Sequence, residues 1–417
     1  MLSELKKVRF PFETGLLLAF CIFLPLVEMP KNLAWLLYVG AWIANRARTK
    51  VGDAKGRDWG GRWDGWDSLF ALWIASGYLV SAFSGLQGSE LGGAHELARY
   101  ALLGWLVKRA GYSSREMRWL LGALVISTVA GLAHGYWRIA TGASKSGVLQ
   151  LHSVGHVNHT AIYLAIMLGV CAAWLFACWR MWSTAGRAVA IAVGALVLVS
   201  LVVTASRGAV AVGFALLLVL AAAWWPRWRA PLVASLAVVA LSAAAVVGLK
   251  TELVRKQEVF AAMDNTLSSR DGIWRMALVA WERYPWFGIG MDNYSLLTYE
   301  RVRAWRAEAG KEYDPSRYVR QAHAHNLFVN ALAERGSVGF AALAAVLLAW
   351  LVALVRRRPR PADGNIPWLA WGGAVSAWFV TVGVGLVNTT LHHEHGLLAA
   401  LLLGLWLSTL TPRRASP

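Results

Sequence analysis

The chain has 417 residues, 57% of them apolar and 15% charged, with a mean hydropathy of +0.47. Soluble globular chains run at about 45–50% apolar and about a quarter charged, so a soluble enzyme is excluded, as is a disordered or collagen-like chain. The net charge of +18, from 41 Lys and Arg against 23 Asp and Glu, would suggest nucleic acid in a soluble protein; here the basic residues fall between apolar runs, and no nucleic-acid partner is expected.

In chain order, apolar runs that read as membrane spans predict helices at 12–28, 31–45, 68–86, 94–107, 117–137, 158–179, 188–205, 208–225, 231–249, 324 or 338–355, 367–388 and 396–410. The second and fourth are short for about 30 Å of hydrocarbon. The expected fold class is an all-α, polytopic integral membrane protein with about 12 transmembrane helices. Residues 1–249 carry spans one to nine, 250–323 form one large loop, and 324–417 carry spans ten to twelve. With the amino terminus in the cytoplasm, 23 cations fall in cytoplasmic segments and 4 in short outer connections (Lys31, Arg138, Lys145 and Arg207), which is the positive-inside bias. Both termini are then cytoplasmic and the large loop is outside. Cys21, Cys171 and Cys178 all lie in apolar runs, where a thiol behaves as a small hydrophobe.

The stretch from Lys250 to Arg320 holds twelve cations and ten acids, so it is not a polybasic tail. Within Gly272 to Tyr284, Trp274, Ala277, Leu278 and Trp281 recur at helical spacing opposite Arg275, Glu282 and Arg283. This predicts an amphipathic helix that lies on the membrane or caps a cavity, ended by Pro285 and Gly288. Tryptophans cluster at predicted span ends, as at Trp224, Trp225 and Trp228, where the ring suits the headgroup level.

Three residues stand out chemically. Arg207 occupies a short break between two spans, Thr204-Ala205-Ser206-Arg207-Gly208-Ala209; it either snorkels to headgroups or points into a cavity, with phosphate as its natural partner. Arg270 follows Ser268-Ser269 at the start of the amphipathic helix. A capped helix amino terminus favours an anion and a guanidinium adds a bidentate fork, although pairing with Asp271 in a solvated loop is the alternative. His325 lies in Ala322-His323-Ala324-His325-Asn326, where the loop re-enters a helix with a break expected at Gly336. An imidazole there can take a proton near neutral pH, or serve structure alone. His152, His156 and His159, and separately His392, His393 and His395, fall in outer connections. Neither group has zinc-protease spacing or a nearby cysteine, so no metal and no other cofactor is expected. Arg99 is the cation well inside a span, with no evident acidic partner.

No nucleotide triphosphate is available outside a bacterial inner membrane, so group transfer there needs a donor that arrives activated, such as a polyprenyl diphosphate sugar. The blocks Ser269-Arg270-Asp271-Gly272-Ile273-Trp274, Pro285-Trp286-Phe287-Gly288-Ile289-Gly290-Met291-Asp292-Asn293-Tyr294, Ala324-His325-Asn326 and Glu334-Arg335-Gly336-Ser337-Val338-Gly339, with the Arg207 turn upstream, resemble the O-antigen ligase and polymerase superfamily. The resemblance implies a GT-C type membrane glycosyltransferase that moves O-antigen from undecaprenyl diphosphate to lipid A-core at the periplasmic face, with inversion and without metal. It implies a base at His325 and diphosphate contacts at Arg207 and Arg270. Arg99, Arg138, His156 and His323 are second-tier candidates, because they lie at outer span ends or beside a matched block. O-antigen polymerase and protein O-oligosaccharyltransferase are the alternatives within the superfamily; a lipid or ion transporter is the non-enzymatic one. One dominant outer loop favours the ligase.

Overall fold

The computed structural model describes residues 10–48, 50–51, 54–57, 59–144, 148–224 and 270–410. Among these residues there are thirteen α-helices: α1 Pro11–Phe23, α2 Glu28–Arg48, α3 Gly65–Phe83, α4 Glu90–Ala110, α5 Ser114–Ala140, α6 Val157–Cys178, α7 Thr184–Val203, α8 Arg207–Trp224, α9 Arg270–Arg283, α10 Tyr299–Glu308, α11 Leu327–Arg356, α12 Asn365–Gly385 and α13 His393–Leu410. A small antiparallel hairpin, β1 Lys50–Val51 with β2 Ala54–Arg57, joins α2 to α3. The predicted span at 231–249 and the serines ahead of Arg270 lie outside the described residues.

Seven helices, α3, α5, α6, α7, α8, α11 and α12, are long and apolar enough to cross a membrane, while α1 is apolar but has 13 residues. The chain is therefore a multi-pass membrane protein. The helices that looked short, at 31–45 and 94–107, are α2 and α4, with 21 residues each, or about 32 Å. Charged residues near their ends truncated the apolar windows, yet these charges are paired and the helices run on. Arg46 binds Glu13, Lys31 binds Glu394, and Lys108 and Arg109 both bind Asp67.

At the centre, α6 is buried along nearly its whole length and packs on α7, α8, α12 and α13. Apolar attraction between helices is weak in lipid, so close backbone approach through small residues matters. The contact of α6 with α12 uses Gly169 and Ala173 against Gly372 and Ser376: a Cβ on Gly372 would fall 2.5 Å from that of Ala173. The contact of α4 with α13 repeats the device, since a Cβ on Gly404 would fall 2.5 Å from the Gly104 carbonyl.

Alternate connections gather at opposite ends of the bundle. At one end Arg46 reaches Glu13 and the Ala110 carbonyl, and Lys108 joins Asp64 and Asp67 across the α2–α3 connection. At the other, Lys31 meets Glu394, Gly85 donates to the Gly288 carbonyl, and His325 meets Asn388. This second end carries α9 and α10, which share a small hydrophobic core of their own with Ile289, Tyr294, Tyr318 and Ala333.

Two expectations are corrected. The buried face of α9 is centred on Ile273, Met276, Ala277 and Ala280, and Leu278 is exposed, because the helix packs on α11 and α10 rather than lying on a flat apolar surface. Trp224 is buried against Trp368 and Trp371, with ring centroids 4.8 and 5.7 Å away, so it fills the core instead of reaching the headgroup level. Trp225 and Trp228 lie outside the described residues.

Gly372→Leu should force α6 and α12 apart and lower the melting temperature in detergent, with overpacking costing about 1–3 kcal/mol. Gly194→Ala is the matched control, since a Cβ there meets nothing within 4 Å. Equal melting of the two variants would contradict the packing described.

Candidate active site at the loop-bearing end

The loop is fastened to the bundle by backbone. Between residues 285–290 and 333–338 four hydrogen bonds form: Ile289 N–H to Ala333 O (2.9 Å), Gly290 N–H to Glu334 O (3.0 Å), Ser337 N–H to Pro285 O (2.7 Å) and Val338 N–H to Trp286 O (3.1 Å). They require the helix α11 to open, and it does so at Gly336, with φ 59° and ψ −167°, the break expected from sequence. A Cβ on Gly288 would fall 2.5 Å from the Glu334 carbonyl carbon, so the two chains touch only because both glycines lack one.

Side chains extend this fastening towards His325. Trp281 donates to Ser337 Oγ (3.2 Å) and Trp274 donates to the Ala324 carbonyl (3.0 Å). The Ala324 N–H donates to Asn330 Oδ1 (3.0 Å), whose Nδ2 donates to Glu334 (2.8 Å), which also accepts from Tyr294 N–H (3.2 Å). Asn293 bonds the Ser89 N–H, Glu90 and the Ile289 carbonyl, tying the same loop to the α3–α4 connection. Ala324 is thus held from both sides, and His325 follows it at φ 49°, a left-handed conformation that a non-glycine residue adopts at a cost.

Asn326 caps α11 by accepting from the N–H groups of Phe328 and Val329, and its Nδ2 donates to the Leu386 carbonyl. His325 Nδ1 lies 3.3 Å from Asn388 Oδ1, and that same oxygen accepts from Thr389 N–H (2.9 Å). An atom that accepts a backbone N–H is the amide oxygen, so Nδ1 of His325 is the donor and Nε2 carries the lone pair. Burial holds the His325 pKa below its ordinary value; the Asn388 bond opposes that shift, and the charges of Arg270 and His156 add to it.

Arg270 opens α9 and Arg207 opens α8, each half-buried. Burial lowers the Arg270 pKa, and the charge of Arg207 lowers it further. The charge of Arg207 thus bears on Arg270 and that of Arg270 on His325, residues from separate parts of the chain. The connection after α12 braces them from below: Val387 fills the space beside Gly208, where a Cβ would fall 2.6 Å from its Cγ2, and Asn388 holds His325. An anion beside Arg270 would offset the charge that Arg207 places on it.

The second-tier residues separate. Arg99 has an acidic neighbour that sequence reading missed, Glu96 at 3.8 Å, one turn away. Arg138 bonds the Ala143 carbonyl at the end of α5 (3.4 Å). His156 is the amino-terminal cap of α6, accepting from Asn158 N–H, and its charge reaches His325. His323 turns to His392, 5.3 Å between ring centroids, with burial lowering its pKa and Asp292 opposing. Asn388, Asn293, Glu334 and Asp292 were not singled out from sequence. Asn293, Glu334 and Asp292 lie within the matched blocks, whereas Asn388 has no local signal. The histidines of two outer connections, treated as separate groups, meet in space: His159 Nδ1 lies 3.1 Å from His395 Nε2.

The fold is a multi-pass helical bundle in which Arg207 opens a bundle helix, Arg270 opens the loop helix α9 and His325 precedes α11. Residues 192–344 match the family described as O-antigen ligase, and this segment contains Arg207, Arg270 and His325. This match supports membership of the O-antigen ligase/polymerase superfamily and a glycosyltransferase-like activity. No curated protein compared with the chain matches it.

Asn293→Ala would strand the Ser89 N–H and leave Glu90 with the Gly88 N–H as its remaining donor, at a cost of about 1–3 kcal/mol. Amide hydrogen exchange across residues 285–297 should accelerate while that of α6 stays unchanged. Unaltered exchange in the loop would show that Asn293 does not fasten it.

Proposed function

We propose that the protein is an O-antigen ligase: it transfers O-antigen polysaccharide, with inversion, from undecaprenyl diphosphate to lipid A-core at the periplasmic face of the inner membrane. On this reading both termini are cytoplasmic, twelve helices span the membrane, and the loop of residues 250–323 stands in the periplasm. The observation that carries it is the family match over residues 192–344, which contains Arg207, Arg270 and His325; the charges of Arg207 on Arg270 and of Arg270 on His325 agree with it.

The chemistry follows from those groups. The acceptor hydroxyl oxygen attacks the anomeric carbon from the face opposite the diphosphate, and the bond from that carbon to the diphosphate oxygen breaks with its electron pair leaving on undecaprenyl diphosphate. Arg207 and Arg270 meet the charge that grows there, so the diphosphate needs no metal. His325 takes the hydroxyl proton at Nε2, the nitrogen left free by the bond of Nδ1–H to Asn388.

The test is reconstitution of purified protein with polyprenyl diphosphate glycan and lipid A-core. A joined glycolipid supports the ligase; glycan elongation on the donor alone would indicate a polymerase, glycosylated protein an oligosaccharyltransferase, and a change of sidedness without a new bond a transporter. His325→Ala should lower turnover by about 10²–10⁴ while donor binding persists. Arg207→Lys and Arg270→Lys should weaken donor binding, because a point charge does not reproduce the guanidinium fork. Near wild-type turnover of His325→Ala would sink the base assignment.

The pH profile gives a separate check. A base must be deprotonated, so the rate should rise with pH and level off above the His325 pKa, which burial places below the ordinary value of about 6.5. The Asn388 bond raises that pKa, so Asn388→Ala should move the acid limb to still lower pH. It should also reduce kcat, since Nδ1–H is no longer held. A limb unmoved by Asn388→Ala would separate Asn388 from the base.

A further inference from the structure

Beyond the arginine pair, the same end of the bundle holds a crowd of imidazoles. His159, in the first turn of α6, faces His392 and His393 from the connection into α13, with ring centroids 5.7 and 4.6 Å away, and His392 and His393 are 3.9 Å apart. One ring nitrogen from each of the three lies within 4.8 Å of the other two. Ligands around a tetrahedral zinc, with metal–nitrogen bonds of about 2.1 Å, stand roughly 3.4 Å apart, a contraction within reach of small side-chain rotations.

Three further observations point to a ligand. His392 Nδ1 is buried and has no hydrogen-bond partner among the described residues, which is costly unless something binds it. His159 Nδ1 is engaged by His395 Nε2 at 3.1 Å, which fixes the ring and leaves Nε2 available, the arrangement by which an outer residue orients a metal-binding histidine. The backbone brings the pair together at Leu391, φ 54°, and His393, φ 47°, a conformation that non-glycine residues adopt at a cost. The charges of His323 and His393 act on Asp292, whose carboxylate adds negative charge near the cluster, while the charge of Arg335 acts on His392 and opposes it.

We infer that His159, His392 and His393 form a three-imidazole site for a borderline divalent transition metal, for which zinc and cobalt are the simplest ions, with a fourth position open to water. Nitrogen donors of this kind select such ions over calcium or magnesium. The site is separate from the transfer chemistry, whose groups are Arg207, Arg270 and His325, and the inference does not rest on that assignment. Bound, the ion would pin the start of α6 to the connection that carries Val387 and Asn388.

The experiment uses the full chain in detergent without any added histidine tag, stripped with chelator and titrated with cobalt(II). One cobalt per chain is expected, with the intense visible bands of tetrahedral coordination, displaced by zinc. His392→Ala and His393→Ala should each weaken binding more than tenfold; His392→Gln serves the same purpose if an alanine variant does not fold. His325→Ala should retain full uptake while losing transfer, which separates this site from the proposed base. No stoichiometric uptake by the wild-type chain, or uptake that survives substitution of His392 and His393 together, would overturn the site.

Discussion

The backbone contact between residues 285–290 and the break in α11 is the constraint on which the candidate site depends. A long membrane helix ordinarily satisfies all its own hydrogen bonds, and α11 gives up that closure at Gly336 to make four bonds with the loop, accepting two at Ala333 and Glu334 and donating two from Ser337 and Val338. The exchange gains position: α9, carrying Arg270, is tied to the helix that begins after His325. Because the contact is made by backbone at two glycines, a methyl group on either one disrupts it more than most side-chain changes nearby would.

From that anchor the site is assembled by short connections rather than by helix faces. Ala205, Asp292, His325, Leu391 and His393 are non-glycine residues at positive φ, and all five belong to the loop-bearing end. Such residues persist where surrounding bonds over-determine them, as Trp274, Asn330 and Asn388 do around His325. The 386–392 connection is the common neighbour: Leu386 accepts from Asn326, Val387 meets Gly208, Asn388 meets His325, and His392 meets His159. A change in that connection therefore reaches both the arginine–histidine group and the imidazole cluster.

Much of this was legible in the sequence because lipid imposes length and polarity so strictly. Eleven of the twelve predicted spans correspond to described helices, and Gly336 broke its helix where expected. The misreadings share a cause, which is that pairing in space is invisible to a window of neighbours. Charged residues shortened the apparent α2 and α4 because Glu394, 363 positions from Lys31, was not known to neutralise it. Trp224 looked interfacial because Trp368 and Trp371 are distant in sequence. Arg207, Arg270 and His325 were found through local motifs, whereas Asn388 and the meeting of His159 with His392 and His393 exist only once α6 and α13 are packed.

The buried ion pairs show how the loop-bearing end keeps its register. Lys31 and Glu394 are both almost wholly buried, and Ser153 bonds to each of them at 3.3 Å, joining α2, the connection into α6 and the first turn of α13. An apolar pair of similar volume would be about as stable, but removing one partner alone typically costs about 3–5 kcal/mol. An apolar contact also tolerates sliding, whereas an ion pair with a shared hydroxyl is satisfied in one arrangement. Glu394 lies between His393 and His395 in the chain, so fixing it fixes where those rings face α6. Bulk apolar packing holds the helices together, and sparse, fully partnered charges at their ends determine which residues meet above them.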